Sequence, residues 1–428
     1  MATLHAQAAD IEVRALNREE ELDVFLRLSH AAFAAEEEPA RYAEVWRHRL
    51  DHWPAVQSPD SVRGAVDRAT GEVLGAYVLL QRTICIGPAR VPMGGVSAVC
   101  VDETRRKQGV GAALMWDAVD YARTHGMALL LLTGVPNYYH RFDYVPVLEL
   151  TELFLDRSAV QALPADDSIR VRTATPDDAE ALLTLYLRQF QPLIGGSART
   201  LAAQQYRLAR PHQKAEHLLA LDAGGTPAGY LILYKSQEGL VGVEVAADDW
   251  PTTAALLRAH NAYLPAGDAV DEAPVRELAW SVPPGTPLFY DLSAHMPFRS
   301  ERLHHPSADW MARVGDVDAL LQAMTPAWHA RLADSHQPWR GRLRLVVDGH
   351  AVVLHLRDTD VTLGDDVPGA AMATVQLSAR ALIQLCFGYR PVWWFARQAD
   401  ATIPAELLPL LHVLFPSGTA WVAASDAF

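Results

Sequence analysis

The fold of this chain is decided by one stretch, Val99-Cys100-Val101-Asp102-Glu103-Thr104-Arg105-Arg106-Lys107-Gln108-Gly109-Val110-Gly111. Its first three residues are apolar and of the type that strands favour. A polar turn follows, and apolar residues then recur with the four-residue step of a helix, at Val110, Leu114, Ala118 and Ala122. Gly126 stands where a left-handed helix cap is expected, and an apolar run over residues 127–132 predicts another strand. The stretch therefore predicts a strand, a glycine turn, a helix and a second strand.

The turn has the composition of a phosphate-binding loop. A helix N-terminus leaves backbone N–H groups unpaired and carries partial positive charge, and glycine lets a ligand approach the backbone closely. Arg106 and Lys107 add positive charge. The spacing Arg106-x-x-Gly109-x-Gly111 matches neither the Rossmann nor the Walker A pattern, which argues against a nucleotide triphosphatase. A surface turn with incidental glycines is the alternative, and the placement between a strand and an amphipathic helix favours a ligand site.

Length and charge limit the possible classes of protein. With 428 residues the chain is expected to form two or three domains. A formal net charge of −14 argues against nucleic acid and anionic membranes as partners and is compatible with cationic small substrates. The 3 cysteines show no paired spacing, which indicates a reducing compartment and no metal site. Because neither a signal segment nor a membrane-spanning apolar run is apparent, we expect a cytoplasmic protein.

At its glycine turn the sequence resembles the GCN5-related N-acetyltransferase (GNAT) superfamily, whose diphosphate loop reads Arg/Gln-x-x-Gly-x-Gly/Ala after a strand. Residues 138–144, Tyr-Tyr-His-Arg-Phe-Asp-Tyr, resemble the Tyr-x-Arg-Phe-Gly-Tyr motif of the enhanced intracellular survival branch, which acetylates aminoglycosides and other amines. Asp143 stands in the place of the usual glycine. By this match Tyr139 takes the place of the family's general acid, with Tyr138 as the competing candidate, and acetyl-coenzyme A is the expected co-substrate.

The resemblance also implies a set of binding residues. The backbone N–H of Val99 would polarise the thioester carbonyl, and the contacts to coenzyme A would come from Val99, Cys100, Val101, Arg106, Lys107, Gln108, Gly109, Val110 and Gly111. On the acceptor side, Phe33, Glu36 and Glu37 are candidates, because carboxylates at the rim of a pocket attract an ammonium group. A solvated loop is the alternative interpretation of this acidic run.

The pattern of the first hundred residues recurs after Pro164. Residues 169–174 repeat the alternation of residues 11–16, and residues 219–233 echo residues 64–79. Where the first copy has its basic glycine turn, the second has Ala-Ala-Asp-Asp-Trp-Pro at 246–251. Two aspartates there would repel phosphates, so the second copy is not expected to bind coenzyme A.

A third mixed region resembles the sterol-carrier-protein-like domain that closes the same branch, with helices expected over residues 317–324 and 326–334. The sequence thus predicts an α/β (α+β) protein with tandem GNAT folds, the second degenerate. The expected domains are a catalytic domain (1–160), a degenerate copy (161–303) and the sterol-carrier-protein-like domain (304–428).

The last residue, Phe428, has a role implied by the resemblance, because the branch places the α-carboxylate of a terminal phenylalanine in the active site of its first domain. Ala427 stands where the branch has an acidic residue. A disordered tail is the alternative.

The sequence therefore predicts an acetyl-coenzyme A-dependent N-acetyltransferase that acts on the amines of a cationic small molecule, similar to an aminoglycoside or a polyamine. Tyr139 would donate a proton, and the Phe428 carboxylate would orient or deprotonate the amine. Two alternatives stay open: a lysine N-acetyltransferase acting on proteins or peptides, and a non-catalytic scaffold that binds acyl-coenzyme A or lipid. A homohexamer is implied by the resemblance alone.

Overall fold

The structure is a computed structural model that describes residues 10–56, 58–210, 215–236, 239–264, 276–365 and 372–428. The chain forms two compact units. Of the described residues, those up to 147, those within 305–418 and residue 428 belong to the first unit, and those within 148–304 and 419–427 belong to the second. The three-domain division expected from the sequence stays a prediction. Among the described helices, none is long and apolar enough to cross a membrane.

The described secondary structure mixes strands and helices throughout the chain. The strands are β1 Ile11–Ala15, β2 Val62–Asp67, β3 Val73–Ile86, β4 Ala89–Val101, β5 Leu129–Gly134, β6 Val145–Pro146, β7 Leu150–Asp156, β8 Arg170–Thr173, β9 Ile194–Ser197, β10 Ala215–Leu221, β11 Pro227–Ser236, β12 Gly239–Ala247, β13 Glu277–Trp280, β14 Phe298–Leu303, β15 Asp309–Val314, β16 Trp339–Val347, β17 His350–Asp358, β18 Asp360–Gly364, β19 Ala373–Leu377 and β20 Ala401–Thr402. The helices are α1 Leu22–Phe33, α2 Pro39–His52, α3 Val110–Thr124, α4 Arg157–Gln161, α5 Ala179–Phe190, α6 Leu201–Ala209, α7 Trp250–Tyr263, α8 Pro287–His295, α9 Val317–Ser335, α10 Ala379–Cys386, α11 Val392–Phe395 and α12 Leu408–Leu414.

The first unit is built on a sheet with the strand order β1-β2-β3-β4-β5-β15-β6. The strands β1 to β4 are antiparallel neighbours, and β5 returns parallel to β4 after the helix α3. The apolar stripe predicted for this helix is buried against the sheet, with Leu114, Ala118 and Ala122 fully enclosed. A second core contains residues of α1 and α2, among them Phe25 and Trp46. The predicted strand, glycine turn, helix and strand are confirmed.

The strands β4 and β5 stay paired over only a short distance. Their parallel pairing runs from Met93 to Gly95 on β4, and no described pair continues it beyond Gly95. The pairing of β4 with β3 is interrupted between Ser97 and Cys100, where Ala98 takes a positive φ of 51°. Such a bulge bends its strand and leaves backbone groups outside the ladder. The two strands therefore diverge after Gly95 and leave an opening in the sheet.

A smaller sheet in the same unit has the order β18-β17-β16-β19-β20. The helix α9 precedes it, and it runs unbroken through Pro326, so the two separate helices predicted here are wrong. A proline inside a helix removes the hydrogen bond to the carbonyl four residues earlier, which here belongs to Gln322. The hydroxyl of Thr325 donates to that carbonyl at 2.8 Å, and this contact satisfies the acceptor that the proline leaves free.

The second unit contains a sheet with the order β14-β7-β13-β12-β11-β10-β8. Within it, β8, β10, β11 and β12 are antiparallel neighbours, and β13 returns parallel to β12 after the helix α7. This helix begins with the side chain of Asp249 as its cap, which accepts from the backbone N–H of Thr252 at 2.9 Å. An aspartate thus occupies the helix start at which the first unit has glycine.

A buried ion cluster lies in the second unit, and nothing in the sequence pattern indicated it. The guanidinium of Arg199 bonds to Glu244 at 2.7 Å and to Asp426 at 2.9 Å, and all three residues are buried. Tyr230 donates to Glu244 at 2.6 Å, and Arg207 pairs with Asp426. Removing one partner from a buried cluster of this kind costs about 3–5 kcal/mol. The cluster therefore anchors the segment that contains Asp426.

Candidate active site

A cavity of about 640 Å³ opens in the first unit where β4 and β5 diverge. Its lining includes most of the site residues expected from the sequence. It consists of Ala32, Phe33, Val96, Ser97, Ala98, Val99, Cys100, Val101, Arg106, Lys107, Gly111, Thr133, Val135, Tyr138, Tyr139 and Phe428. The expected residues outside this set are Gln108, Gly109, Val110, Glu36 and Glu37. A single cavity thus contains the basic loop, the two tyrosines and the last residue of the chain.

The glycine turn curls its backbone at the start of α3. Lys107 and Gly109 both take positive φ angles, 63° and 90°, and Gly109 caps the helix. Successive backbone N–H groups in such a turn form a concave site for anions. A Cβ added at Gly109 would meet no atom within 4 Å, so the space beside it is open. The side chain of Gln108 bonds to the carbonyl of Thr104 at 2.9 Å, within the loop itself.

The two basic residues at the cavity are able to reach a ligand. Arg106 pairs with Glu103 at 3.1 Å, and both side chains are more than half exposed. An exposed pair of this kind contributes at most about 1 kcal/mol, so the guanidinium can exchange its partner for a phosphate. The turn therefore brings backbone N–H groups and exposed positive charge to the cavity.

The candidate acid Tyr139 begins a 3₁₀ turn, Tyr139–Phe142, and is largely buried. Burial raises the pKa of its hydroxyl to about 12. Burial also raises the pKa of Tyr138, whose hydroxyl lies so close to Gly111 that a Cβ there would approach it to 2.3 Å. Tyr144 is fully buried and does not belong to the cavity lining.

The tyrosine turn is fixed by two arginines from later parts of the chain. Asp143 takes a φ of 63° at the end of the turn, a conformation that glycine adopts freely and that aspartate tolerates better than most residues. Its carboxylate accepts from Arg380 of α10 at 2.7 Å, and Arg380 also donates to the carbonyl of His140 at 3.0 Å. Arg313 of β15 donates to the carbonyl of Phe142 at 2.9 Å. Asp143 thus keeps the backbone shape expected of glycine and adds an ion pair.

The ring of Phe428 occupies a slot formed by Gly95, Trp310 and Arg82, which we call the terminal slot. A Cβ at Gly95 would come within 2.8 Å of two ring carbons of Phe428. The ring of Trp310 meets it edge-on at 5.6 Å, and the Arg82 guanidinium lies 5.4 Å from its centroid. None of these three residues was expected from the sequence. The one available signal was a glycine inside a strand, which often marks a close approach.

Glu38, which follows the two glutamates expected near the acceptor, caps a helix in this structure. The carboxylate of Glu38 accepts from the backbone N–H of Arg41 at 3.1 Å and caps α2. Phe33 lines the cavity and is 59% exposed. Among the described residues that line the cavity, none is an aspartate or a glutamate. A role for Glu36 and Glu37 in binding the acceptor stays a prediction.

The one cysteine in the cavity lining is chemically quiet. Cys100 is buried, its thiol lies 3.6 Å from the carbonyl of Ala76, and burial raises its pKa to about 12. A thiol is nucleophilic only as the thiolate, so Cys100 stays unreactive at neutral pH. Within the described ranges, no group of three or more histidines, cysteines and carboxylates is placed to hold a metal ion.

Known proteins resemble this chain along most of its length. Residues 12–147 match the family model described as "Acetyltransferase (GNAT) domain". An uncharacterised N-acetyltransferase of Streptomyces coelicolor is 30% identical over 364 residues, which cover 79% of this chain and 83% of that protein. A GCN5-related N-acetyltransferase from Kribbella flavida has a TM-score of 0.74 at 19% identity, with 98% of each chain covered. Eis1 from Mycobacterium abscessus has a TM-score of 0.62 at 17% identity, with 98% of this chain and 100% of that chain covered.

The enzymes of this family bind an acyl-coenzyme A and an amine acceptor. The two structural likenesses are below 25% identity and show the fold, whereas the relative at 30% identity carries the family assignment. The chain belongs to the GNAT family of N-acetyltransferases and is an acetyltransferase enzyme.

Proposed function

We propose that this enzyme transfers an acetyl group from acetyl-coenzyme A directly to the amine of a small molecule that is positively charged before it reacts. The observation that carries the proposal is the single cavity where the basic glycine turn, the diverging end of β4, two tyrosines and the chain's last residue meet. None of these features would support the proposal alone, because each of them also occurs in unrelated proteins. Their convergence supplies groups for each step of an acyl transfer.

Coenzyme A would bind with its diphosphate at the start of α3. Lys107 and Gly109 have left-handed backbone, as in turns whose successive N–H groups bind anions, and Arg106 and Lys107 add charge. The acyl end would lie along Val99 to Val101, where β4 has left β5. Val99 lies in the interrupted part of the β3–β4 ladder, so its backbone N–H is a candidate donor to the thioester carbonyl.

The transfer needs two proton movements. The neutral amine attacks the carbonyl carbon, a C–N bond forms, the C–S bond breaks, one amine proton leaves and the coenzyme A sulfur gains one. The Tyr139 hydroxyl is protonated at neutral pH because its pKa is about 12, so it can supply the sulfur's proton. A terminal carboxylate has an ordinary pKa of roughly 3.5 and is a weak base, so the Phe428 carboxylate would hold the ammonium and pass its proton to water.

Direct transfer is favoured over a covalent acyl-enzyme. An acyl-enzyme would need a nucleophile in the cavity, and the cysteine there, Cys100, is a buried thiol whose pKa is raised to about 12. At neutral pH almost no thiolate is available to attack the thioester. Attack by the acceptor amine itself needs no such group.

The architecture proposed here follows the enhanced intracellular survival branch. In both units, antiparallel strands lead into a helix, and the next strand returns parallel to the last of them. In the second unit an aspartate stands at the start of that helix. These features support a degenerate second copy. The smaller sheet and its helices are proposed to correspond to the sterol-carrier-protein-like region. Support comes from the whole-chain similarity to Eis1 from Mycobacterium abscessus. A homohexamer is proposed on the sequence resemblance to that branch alone.

The rival functions predict different products. A protein lysine acetyltransferase would modify peptides faster than free amines, and an acyl-coenzyme A scaffold would release no thiol. The deciding experiment measures thiol release from acetyl-coenzyme A with polyamines, aminoglycosides, arylalkyl amines and lysine peptides. The proposal predicts release that depends on a small amine, with an acetylated amine seen by mass spectrometry. Release with peptides alone would favour the first rival, and tight binding without release would favour the second.

A further inference from the structure

We infer that the acceptor of this enzyme carries one ammonium group on an apolar, aromatic body, as an arylalkyl amine does, and is not a polycation. The inference rests on the proposed function and narrows it, because it names the acceptor class of the same cavity. It sets aside the polyamine or aminoglycoside that the sequence led us to expect. Its basis is the charge and the exposed apolar surface of the cavity lining.

In the proposed function the carboxylate of Phe428 holds the ammonium group of the acceptor. Among the described residues that line the cavity, none is an aspartate or a glutamate, and the charged side chains are the cations Arg106 and Lys107. A single carboxylate can pair with a single ammonium. The second and third ammonium groups of a polyamine would find no counter-ion in this lining, and leaving a charge without a partner at a partly enclosed site is unfavourable.

Apolar side chains are left uncovered at the cavity. Phe33 at the end of α1 is 59% exposed and Val135 beyond β5 is 58% exposed, and both belong to the lining. Apolar side chains left exposed in the lining of a cavity favour a partner with an apolar surface. The ring of Tyr138 and the methyl groups of Ala32 and Ala98 continue the same apolar lining. An aromatic body would therefore find contacts that a polyhydroxylated or polycationic one would not.

The test compares kcat/KM for 2-phenylethylamine, spermidine and kanamycin in thiol release by the full chain. The inference predicts that 2-phenylethylamine is preferred by about 10-fold or more, the discrimination that one apolar pocket usually gives. A wild-type preference for spermidine or kanamycin would overturn the inference and leave the proposed function intact.

Two variants make the test specific to the cavity. Phe33→Glu removes an aromatic contact and adds a carboxylate at an exposed position, so kcat/KM should fall for 2-phenylethylamine and rise for spermidine. Tyr290→Glu is the matched control, because Tyr290 is 61% exposed and does not belong to the cavity lining. The control should leave the preference unchanged. An equal effect of both variants, or none with Phe33→Glu, would contradict the inference.

A second readout separates the inference from the proposed function. Saturation-transfer NMR detects binding of 2-phenylethylamine to the enzyme in the presence of coenzyme A, without turnover. If no amine released thiol, the proposed function would fail. Binding that is competed by other arylalkyl amines and lost in Phe33→Glu would still support the acceptor class. Absence of binding, or displacement by spermidine at lower concentration, would refute it.

Discussion

The terminal slot provides the sharpest prediction, through the substitution Gly95→Ala. The added methyl carbon would lie 2.8 Å from two ring carbons of Phe428, and ordinary contact begins at about 3.4 Å. Because Trp310 and Arg82 border the same ring, the ring cannot move without shifting its residue. The ring, and the carboxylate on the same residue, must therefore be displaced by roughly half an ångström. Displacements on the order of 1 Å cost about 10²-fold in rate, so we expect kcat to fall about 10- to 100-fold.

The assay is steady-state thiol release with a saturating amine, together with calorimetry for acetyl-coenzyme A. The substitution should lower kcat and leave the affinity for acetyl-coenzyme A near the wild-type value, because the glycine turn is unchanged. A melting curve checks that the variant is folded. A folded Gly95→Ala variant with kcat within about twofold of wild type would refute the argument that the slot positions the last residue.

A compensating variant is the control for this prediction. Gly95→Ala combined with Phe428→Leu keeps the terminal carboxylate and replaces the ring by a smaller side chain. If steric conflict causes the loss, the double variant should have a higher kcat than Gly95→Ala alone. If the double variant loses as much kcat as the two single variants combined, steric conflict with the Phe428 ring is not the cause of the loss.

Three further predictions concern the candidate acid Tyr139, the carboxylate of Phe428 and the second unit. Tyr139→Phe should lower kcat about 10²-fold or more without weakening acetyl-coenzyme A binding, whereas Tyr144→Phe should leave kcat close to wild type. An equal loss of kcat in the two variants would show that Tyr139 is not the general acid. Two alanines added after Phe428 should abolish turnover, and a fully active extended protein would show the carboxylate to be dispensable. Burial lowers the pKa of His217 to about 4 in the folded protein, so stability should fall as the pH drops from 6.5 to 4, by ~3 kcal/mol for this group. Burial raises and Arg199 lowers the pKa of Glu244, and the net direction is down, so the contribution of this carboxylate is lost at still lower pH, as it becomes protonated. Urea unfolding at pH 7 and pH 4 measures the His217 contribution, and equal stability at the two pH values would contradict that assignment.

The first unit was predictable where the signal is local. The strand, the glycine turn and the helix α3 follow one another within residues 99–126, so propensity and apolar periodicity were sufficient to place them. The cavity-lining residues at the end of β4 and in the glycine turn lie in the same stretch and could be predicted with it. Tyr139 and Phe428 came from resemblance, and the structure brings both to that cavity.

What the sequence did not reveal depends on contacts between distant residues. Asp143 looked like a departure from a motif, and its partner Arg380 lies 237 positions away along the chain. Gly95 has no local reason to be glycine until the ring of the last residue is placed against it. Pro326 looked like a break between helices because proline ends most helices, and a hydrogen bond from its neighbour keeps α9 continuous. In each case the deciding partner is a tertiary or side-chain contact that periodicity does not report.

We expect the turn after Arg106 to hold the diphosphate of coenzyme A. Titration calorimetry with acetyl-coenzyme A tests it on the wild type, on Arg106→Ala and on Arg68→Ala. Arg68 is the matched control, an exposed arginine paired with Glu12 that does not belong to the cavity lining. We expect Arg106→Ala to raise the Kd about 10-fold or more, the usual cost of losing one charge-assisted hydrogen bond, and Arg68→Ala to leave the Kd unchanged. No heat of binding with the wild type, or the same Kd for all three proteins, would contradict it.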